Sequence, residues 1–186
     1  MQLHPSTASL ETTDVRSLET TDARTLRDAF GTFATGVTVV TTGGSVPHAM
    51  TANSFTSVSL DPPLLLVCIG KGAVMHQHLG TKDFFGVSVL AAHQEKTARH
   101  FANRYRPLGA AQFEEVDWLP GDLTAVPLIA DAVTGFECQV WRSYDGGDHT
   151  IFIGRVLSVY QREAGGLVVY RGRFQGISSE LSAVTA

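Results

Sequence analysis

The chain has 186 residues, 44% of them apolar, which is enough for one substantial core and too short to favour a second. Its net charge is −4 and its pI about 5.9, and its 14 basic residues are scattered, so it carries no electrostatic footprint for nucleic acid. No run approaches the roughly 20 apolar residues of a bilayer span, and the N-terminus lacks the basic-then-apolar order of a signal sequence, which predicts a soluble, cytoplasmic protein with no membrane contact.

The first 24 residues hold a tandem octapeptide, 9–16 and 17–24. Two copies are too few for a solenoid. Their polar composition without aromatics predicts a disordered or loosely ordered arm over 1–23, followed by one domain over 24–178 and a flexible tail over 179–186. Within the domain a helix is predicted from Asp22 as N-cap, with Leu26, Phe30 and Phe33 at i, i+4 and i+7 and Gly36 as its end. Strand patterns then cover 37–42, 48–60, 63–69, 83–90, 133–143, 149–161 and 167–174. Gly- and Asp-rich junctions at 145–148 and 164–166 read as hairpins. Short helices are expected at 73–79, using Met75 and Leu79, and at 93–103, using Thr97, Ala98 and Phe101. Residues 104–126 form a long excursion, of the kind that is functional or packs on a second subunit. Seven strands joined in this way argue for a mainly β protein built on an antiparallel barrel.

The segment 47–63 carries more hydroxyl and amide groups than packing requires. By the two-residue strand period Thr51, Asn53, Ser57 and Ser59 share one face, while Met50, Ser54, Thr56, Val58 and Leu60 share the other. Such a strand suits a polar ligand; read alone, it equally describes a solvated edge. No GxGxxG follows a strand, and Gly70-Lys71-Gly72-Ala73 lacks the spacing of a phosphate-binding loop. Cys68 and Cys138 lie in apolar segments without a CxxC pair and read as buried reduced thiols. His76 and His78 fall on different helix faces, and neither they nor His93 and His100 have a Cys or carboxylate at metal spacing, so no metal is expected.

Four stretches in order, 33–42, 47–63, 147–154 and 170–174, resemble those of the short-chain flavin reductases, the reductase components of two-component flavin monooxygenases. The resemblance covers roughly residues 24 to 178. It implies an antiparallel Greek-key split β-barrel with a few short flanking helices, binding flavin at a homodimer interface. It also implies an NAD(P)H:flavin oxidoreductase that reduces FAD, or FMN, and supplies it to a partner monooxygenase, with NADH favoured over NADPH. For the flavin it points to Gly36 and Val37, to Thr51, Ala52, Asn53, Ser54 and Phe55, and to Cys68, Ile69, Gly70, Lys71, Gly72 and Ala73. Lys71 would serve there as a point charge for phosphate. His100, Phe101 and Ala102 match a segment near the adenine half of a flavin dinucleotide. Tyr170, Arg171, Gly172, Arg173 and Phe174 would contact the dinucleotide, the two arginines at its pyrophosphate. His149 takes the catalytic position, orienting the nicotinamide or managing a flavin proton. Ser88 stands where the family usually has Asn, a shorter reach toward any ligand. The alternatives are a non-catalytic flavin- or haem-binding split-barrel protein and a split-barrel oxidase of a phosphorylated pyridoxine, for which no basic phosphate cluster is present.

Overall fold

A computed structural model describes residues 22–179, so the expectations for the arm and the tail fall almost wholly outside the described residues. Helix α1 (Ala23–Phe30) starts as expected, with the Asp22 carboxylate accepting the N–H groups of Arg24 at 3.0 Å and Thr25 at 3.2 Å. It ends at Gly31, not at Gly36. The Gly31 N–H closes on the Arg27 carbonyl, and the chain then straightens into β1 (Thr35–Gly36).

The main sheet comprises β2 (Thr38–Thr42), β3 (His48–Ala52), β4 (Thr56–Leu60), β5 (Pro63–Gly70), β6 (Phe84–Val89), β9 (Thr134–Gly146) and β10 (His149–Gln161). Its order is β3-β2-β6-β9-β10-β5-β4, antiparallel throughout. The run 48–60 is thus two strands rather than one, and they form the two edges of the sheet. Period-2 alternation describes each piece but is blind to a change of partner at Asn53-Ser54-Phe55. A flat seven-stranded sheet would hold its edges about 29 Å apart. A three-residue connector spans at most about 14 Å, so the sheet curls until β3 and β4 approach, as a split barrel requires. Ser54 secures the crossing: its hydroxyl donates to the Cys68 carbonyl at 2.8 Å and accepts the Cys68 N–H at 3.1 Å.

A three-stranded sheet, β1-β11-β12, stands beside the barrel, with β11 (Leu167–Tyr170) and β12 (Arg173–Gly176). The expected strand 167–174 is therefore a hairpin, turning at Arg171-Gly172 with φ of 48° and 71°. An arginine in the left-handed region gives no turn signal in sequence. The junction 164–166 is no hairpin, because β11 pairs with β1 and β12 and not with β10.

The core lies on two sides of β2, whose residues are all buried. Val40 packs inward with Leu65, Val67, Ile69, Phe85 and Phe152, joined by Met75 and Leu79 of α2 (Val74–Leu79). Val37 and Val39 pack outward with Leu90, Leu167, and Ala98 and Phe101 of α3 (Glu95–Ala102). The excursion 104–126 packs on this second core through Phe113, while β7 (Trp118–Pro120) pairs with β8 (Pro127–Ile129). Ser88, fully buried, accepts the Ile129 N–H at 2.9 Å and thereby holds β8. Gln112, also fully buried, pins the excursion to β3, accepting the Ala49 N–H at 2.9 Å and donating to the Pro47 carbonyl at 3.0 Å.

Next to Gln112 lies His48, 4% exposed, with the His78 ring centroid 5.1 Å away and the Arg106 guanidinium donating to the Ala49 carbonyl. Burial, then the charge of Arg106, then His78, push the His48 imidazole down to about 4. The unfolded chain binds this proton near pH 6.5 and the folded chain only near 4, so His48 contributes stability above pH 6.5 that is lost as pH falls toward 4. Replacing His48 with Phe should flatten this acid limb by about 2 kcal/mol between pH 7 and pH 5; urea melts at those two pH values measure it, and an equal loss of stability in both proteins would remove His48 as the cause.

Candidate active site

The connector between β3 and β4 belongs to neither ladder: pairing on one side stops at Ala52 and resumes on the other at Thr56. The backbone N–H groups of Asn53, Ser54 and Phe55 therefore lie outside the sheet ladders. The Asn53 side chain is exposed, whereas the Ser54 hydroxyl is spent on Cys68 and the Thr51 hydroxyl donates to the Ala98 carbonyl at 2.7 Å. The polar strand thus divides its labour: Thr51 and Ser54 hold structure, and Asn53 faces out.

β5 ends beside the β9–β10 hairpin tip. His149 pairs with Gly70, and the Lys71 N–H donates to the Asp148 carbonyl at 2.9 Å. The His149 Nδ1 lies 2.7 Å from the Asp148 carboxylate, an ion pair when the ring is protonated. This leaves Nε2 facing Gly70, 3.6 Å from where a Cβ would stand. The hydrogen bond to His149, followed by its charge, lowers the Asp148 carboxyl below its usual range. The Lys71 ammonium pairs with Asp145 across the same turn, an exposed contact that a phosphate can replace at little cost. His76 Nε2 lies 2.8 Å from the Thr150 hydroxyl and braces the hairpin from α2.

Asn53, Asp148 and His149 open on a cleft of about 1200 Å³, whose other walls are α1 with the segment to Phe33, and Val169, Arg171 and Gly172 of the β11–β12 hairpin. The sequence reading missed the α1 wall, chiefly Arg27, Phe30 and Phe33. Its signal was an apolar stripe that buries nothing: α1 has no buried residue. Gly36 and Gly72 have no atom within 4 Å of where a Cβ would stand, and neither has a positive φ, so neither packing nor backbone conformation in the chain itself demands glycine there. Backbone donors outside the ladders at 53–55 and a cleft of this size fit a planar, carbonyl-rich ring held by backbone, although Gly36 and Gly72 do not themselves border that cleft.

Other expected site residues stand apart. Val37, Ile69 and Phe101 are core side chains, and Ala52 is nearly so. They can meet a ligand only through backbone, and the Phe101 ring not at all. His100 lies 2.7 Å from the Gln112 carbonyl, and neither it nor Ala102 borders the cleft. Phe174 sits under the Arg99 guanidinium of α3 at 5.1 Å, away from Arg171 and Gly172 at the hairpin turn. Arg173 is exposed, and the Arg171 guanidinium lies over the Tyr170 ring at 5.5 Å. Burial raises the Cys68 thiol and, with Glu137, pushes Cys138 up to about 12, so neither is a thiolate nucleophile at neutral pH. Among the described residues no cluster of His, Cys, Asp and Glu has the makings of a metal site.

A family model of the flavin reductase like domain matches residues 30–178. The chain belongs to this flavin reductase family. An NADH-dependent FAD reductase of Streptomyces globisporus is 58% identical over 151 residues, 81% of this chain and 83% of that protein. The solved structure of the Streptomyces globisporus C-1027 NADH:FAD oxidoreductase SgcE6, in complex with NAD and FAD fragments, superposes with a TM-score of 0.84 at 50% identity, covering 90% of this chain and 99% of that one. BorF, the flavin reductase component of a bacterial two-component tryptophan halogenase, gives 0.82 at 53% identity over 84% of this chain and 99% of its own. The family likeness accounts for the mainly β, antiparallel architecture.

Within this flavin reductase fold Ser54 is the clamp of the crossing. Ser54→Ala should lower stability by about 1 to 2 kcal/mol through the orphaned Cys68 backbone groups; a calorimetric melting temperature unchanged from the parent would show that the crossing holds without it.

Proposed function

We infer that the chain is an NADH-dependent flavin reductase that reduces FAD, with FMN as an alternative substrate, and releases it reduced to a separate monooxygenase. The observation that carries this reading is the shared cleft of Asn53, His149 and the α1 wall on a chain of this family. Bound there, flavin supplies the hydride acceptor and nicotinamide the donor, a transfer that needs no strong acid or base from the protein.

The chain's own residues bind and orient. Asn53 and the backbone N–H groups after it would donate to the carbonyl edge of the ring system, where negative charge develops on reduction. Gly36, Gly70 and Gly72 let backbone approach the ring plane. Asp148 holds the His149 ring at Nδ1, and the Nε2 beside Gly70 would be left to orient the nicotinamide amide or to carry a proton. Lys71, released from Asp145, would meet a phosphate of the flavin. We place the protein in the cytoplasm, supported by two free cysteines. We also propose a homodimer, supported by the edge strand β4, where Leu60 is 95% exposed, and by exposed Leu157 and Val159 on β10.

Purified protein mixed with NADH and FAD should accelerate the loss of NADH absorbance; a rate equal to the protein-free control sinks the reductase reading. His149→Ala should cut NADH turnover on the order of tenfold or more while leaving the FAD dissociation constant within about twofold. Unchanged turnover and KM for NADH would exclude the role given to His149. Asn53→Ala should instead weaken FAD binding by about 2- to 10-fold, measured by fluorescence titration; an unchanged constant would remove Asn53 from the site.

A further inference from the structure

We propose that an aromatic pocket with an acidic rim, at the far end of β3 from the cleft, docks the protein that takes the reduced flavin, through a basic segment of that protein with one apolar side chain as its anchor. The identity of the occupant rests on the reductase reading; the pocket itself does not.

Pro47, Phe113, Trp118 and Pro127 wall a pocket of about 250 Å³ that shares no residue with the cleft. This is below the roughly 300 Å³ at which small-molecule sites begin, and it suits one inserted side chain. Phe113 belongs to the core at 5% exposure, whereas Trp118, its ring centroid 5.8 Å away, stays 42% exposed beside the open volume. Val46 and Leu108, both exposed, flank Gly109 and extend this apolar surface. The loop 121–125 behind it is held rigidly. Buried Glu137 accepts the N–H groups of Leu123 and Thr124 and the Thr124 hydroxyl, and Ala125, which lines the pocket, is kept at a φ of 55°. Alanine holds that conformation only where its surroundings fix it, so the pocket is formed before anything enters, which lowers the cost of binding.

Charge selects the occupant. Glu114 lines the pocket, Glu115, Asp117 and Asp122 are exposed on the same excursion, and none of the four forms an ion pair among the described residues. The Arg106 guanidinium is spent on the carbonyls of Asn103 and Ala49. Lys82 stands on the opposite side, its Nζ 3.1 Å from where a Gly44 Cβ would be. An apolar centre with acids along one side favours a basic segment over an acidic one and fixes its direction. Pro47 precedes β3 and Asn53 follows it, so pocket and cleft lie about 20 Å apart along the strand. A partner held there leaves the cleft open to reload and meets each reduced flavin at a raised local concentration.

Trp118 and Trp141 are the two tryptophans, so Trp141→Phe leaves Trp118 fluorescence as the reporter. The probe is the peptide acetyl-Lys-Lys-Phe-Lys-Lys-amide. It should bind on the order of tenfold more tightly than acetyl-Glu-Glu-Phe-Glu-Glu-amide and than acetyl-Lys-Lys-Ala-Lys-Lys-amide. Ala110→Leu, which fills the pocket from an exposed position, should weaken the probe on the order of tenfold, and Glu114→Gln by about 1.5- to 5-fold. Neither should alter NADH oxidation with free FAD. Equal binding of the three peptides, unchanged binding in Ala110→Leu, or inhibition of NADH oxidation by the probe would overturn the pocket. So would a smaller species of Ala110→Leu on gel filtration, which would make this face a contact between copies. In a coupled assay with a monooxygenase that the wild type feeds, Ala110→Leu should lower the product formed per NADH by about twofold or more; an unchanged yield would overturn the occupant. A wild type that oxidises no NADH would sink the reductase reading and leave the peptide result to decide the pocket.

Discussion

The crossing from β3 to β4 is the constraint on which the rest depends. Three residues join the two edges of a seven-stranded sheet, and so short a connector forces the sheet to curl. Curling sets the end of β5 and the β9–β10 tip close to residues 53–55, and the Ser54 hydroxyl locks the approach through both backbone groups of Cys68. Because the connector belongs to neither ladder, its backbone donors are committed to neither neighbouring strand. The curl of the sheet and the placing of this connector are one event.

Around that opening the protein supplies little chemistry and much placement. The two acids of the hairpin turn are each engaged, Asp145 by Lys71 and Asp148 by His149. Both cysteines are held as thiols by burial. This composition suits a reaction whose electrons come from and go to bound molecules, since the protein then needs only to align two rings and exclude water. The polar groups of the core serve structure instead: Gln112 and Ser88 hold the excursion and β8, and His48 is kept neutral beside Arg106.

Much of this was legible in the chain. Asp22 marked the start of α1, Met75 and Leu79 the buried face of α2, and residues 145–148 the β9–β10 hairpin. The illegible parts share a cause. The segment 48–60 alternates without interruption, yet its halves pair with strands at opposite edges of the sheet. Arg171 turns the chain in a conformation its side chain does not advertise. His100 and Phe101 matched a ligand-binding segment, but α3 turns the Phe101 ring into the core. Leu26, Phe30 and Phe33 announced a helix and said nothing of what their stripe would face.

The sequence by itself determined most of the element types and the family, because periodicity, turn chemistry and ordered motifs are local properties of the chain. Only the tertiary structure decided which hydroxyls are free and which are spent, and which aromatic rings face the core and which the cleft. These depend on partners far away in the chain: Ser54 on Cys68, Thr51 on Ala98, Gly31 on Arg171. A side chain's chemistry is written in its residue type, but its availability is set by whatever the fold brings against it.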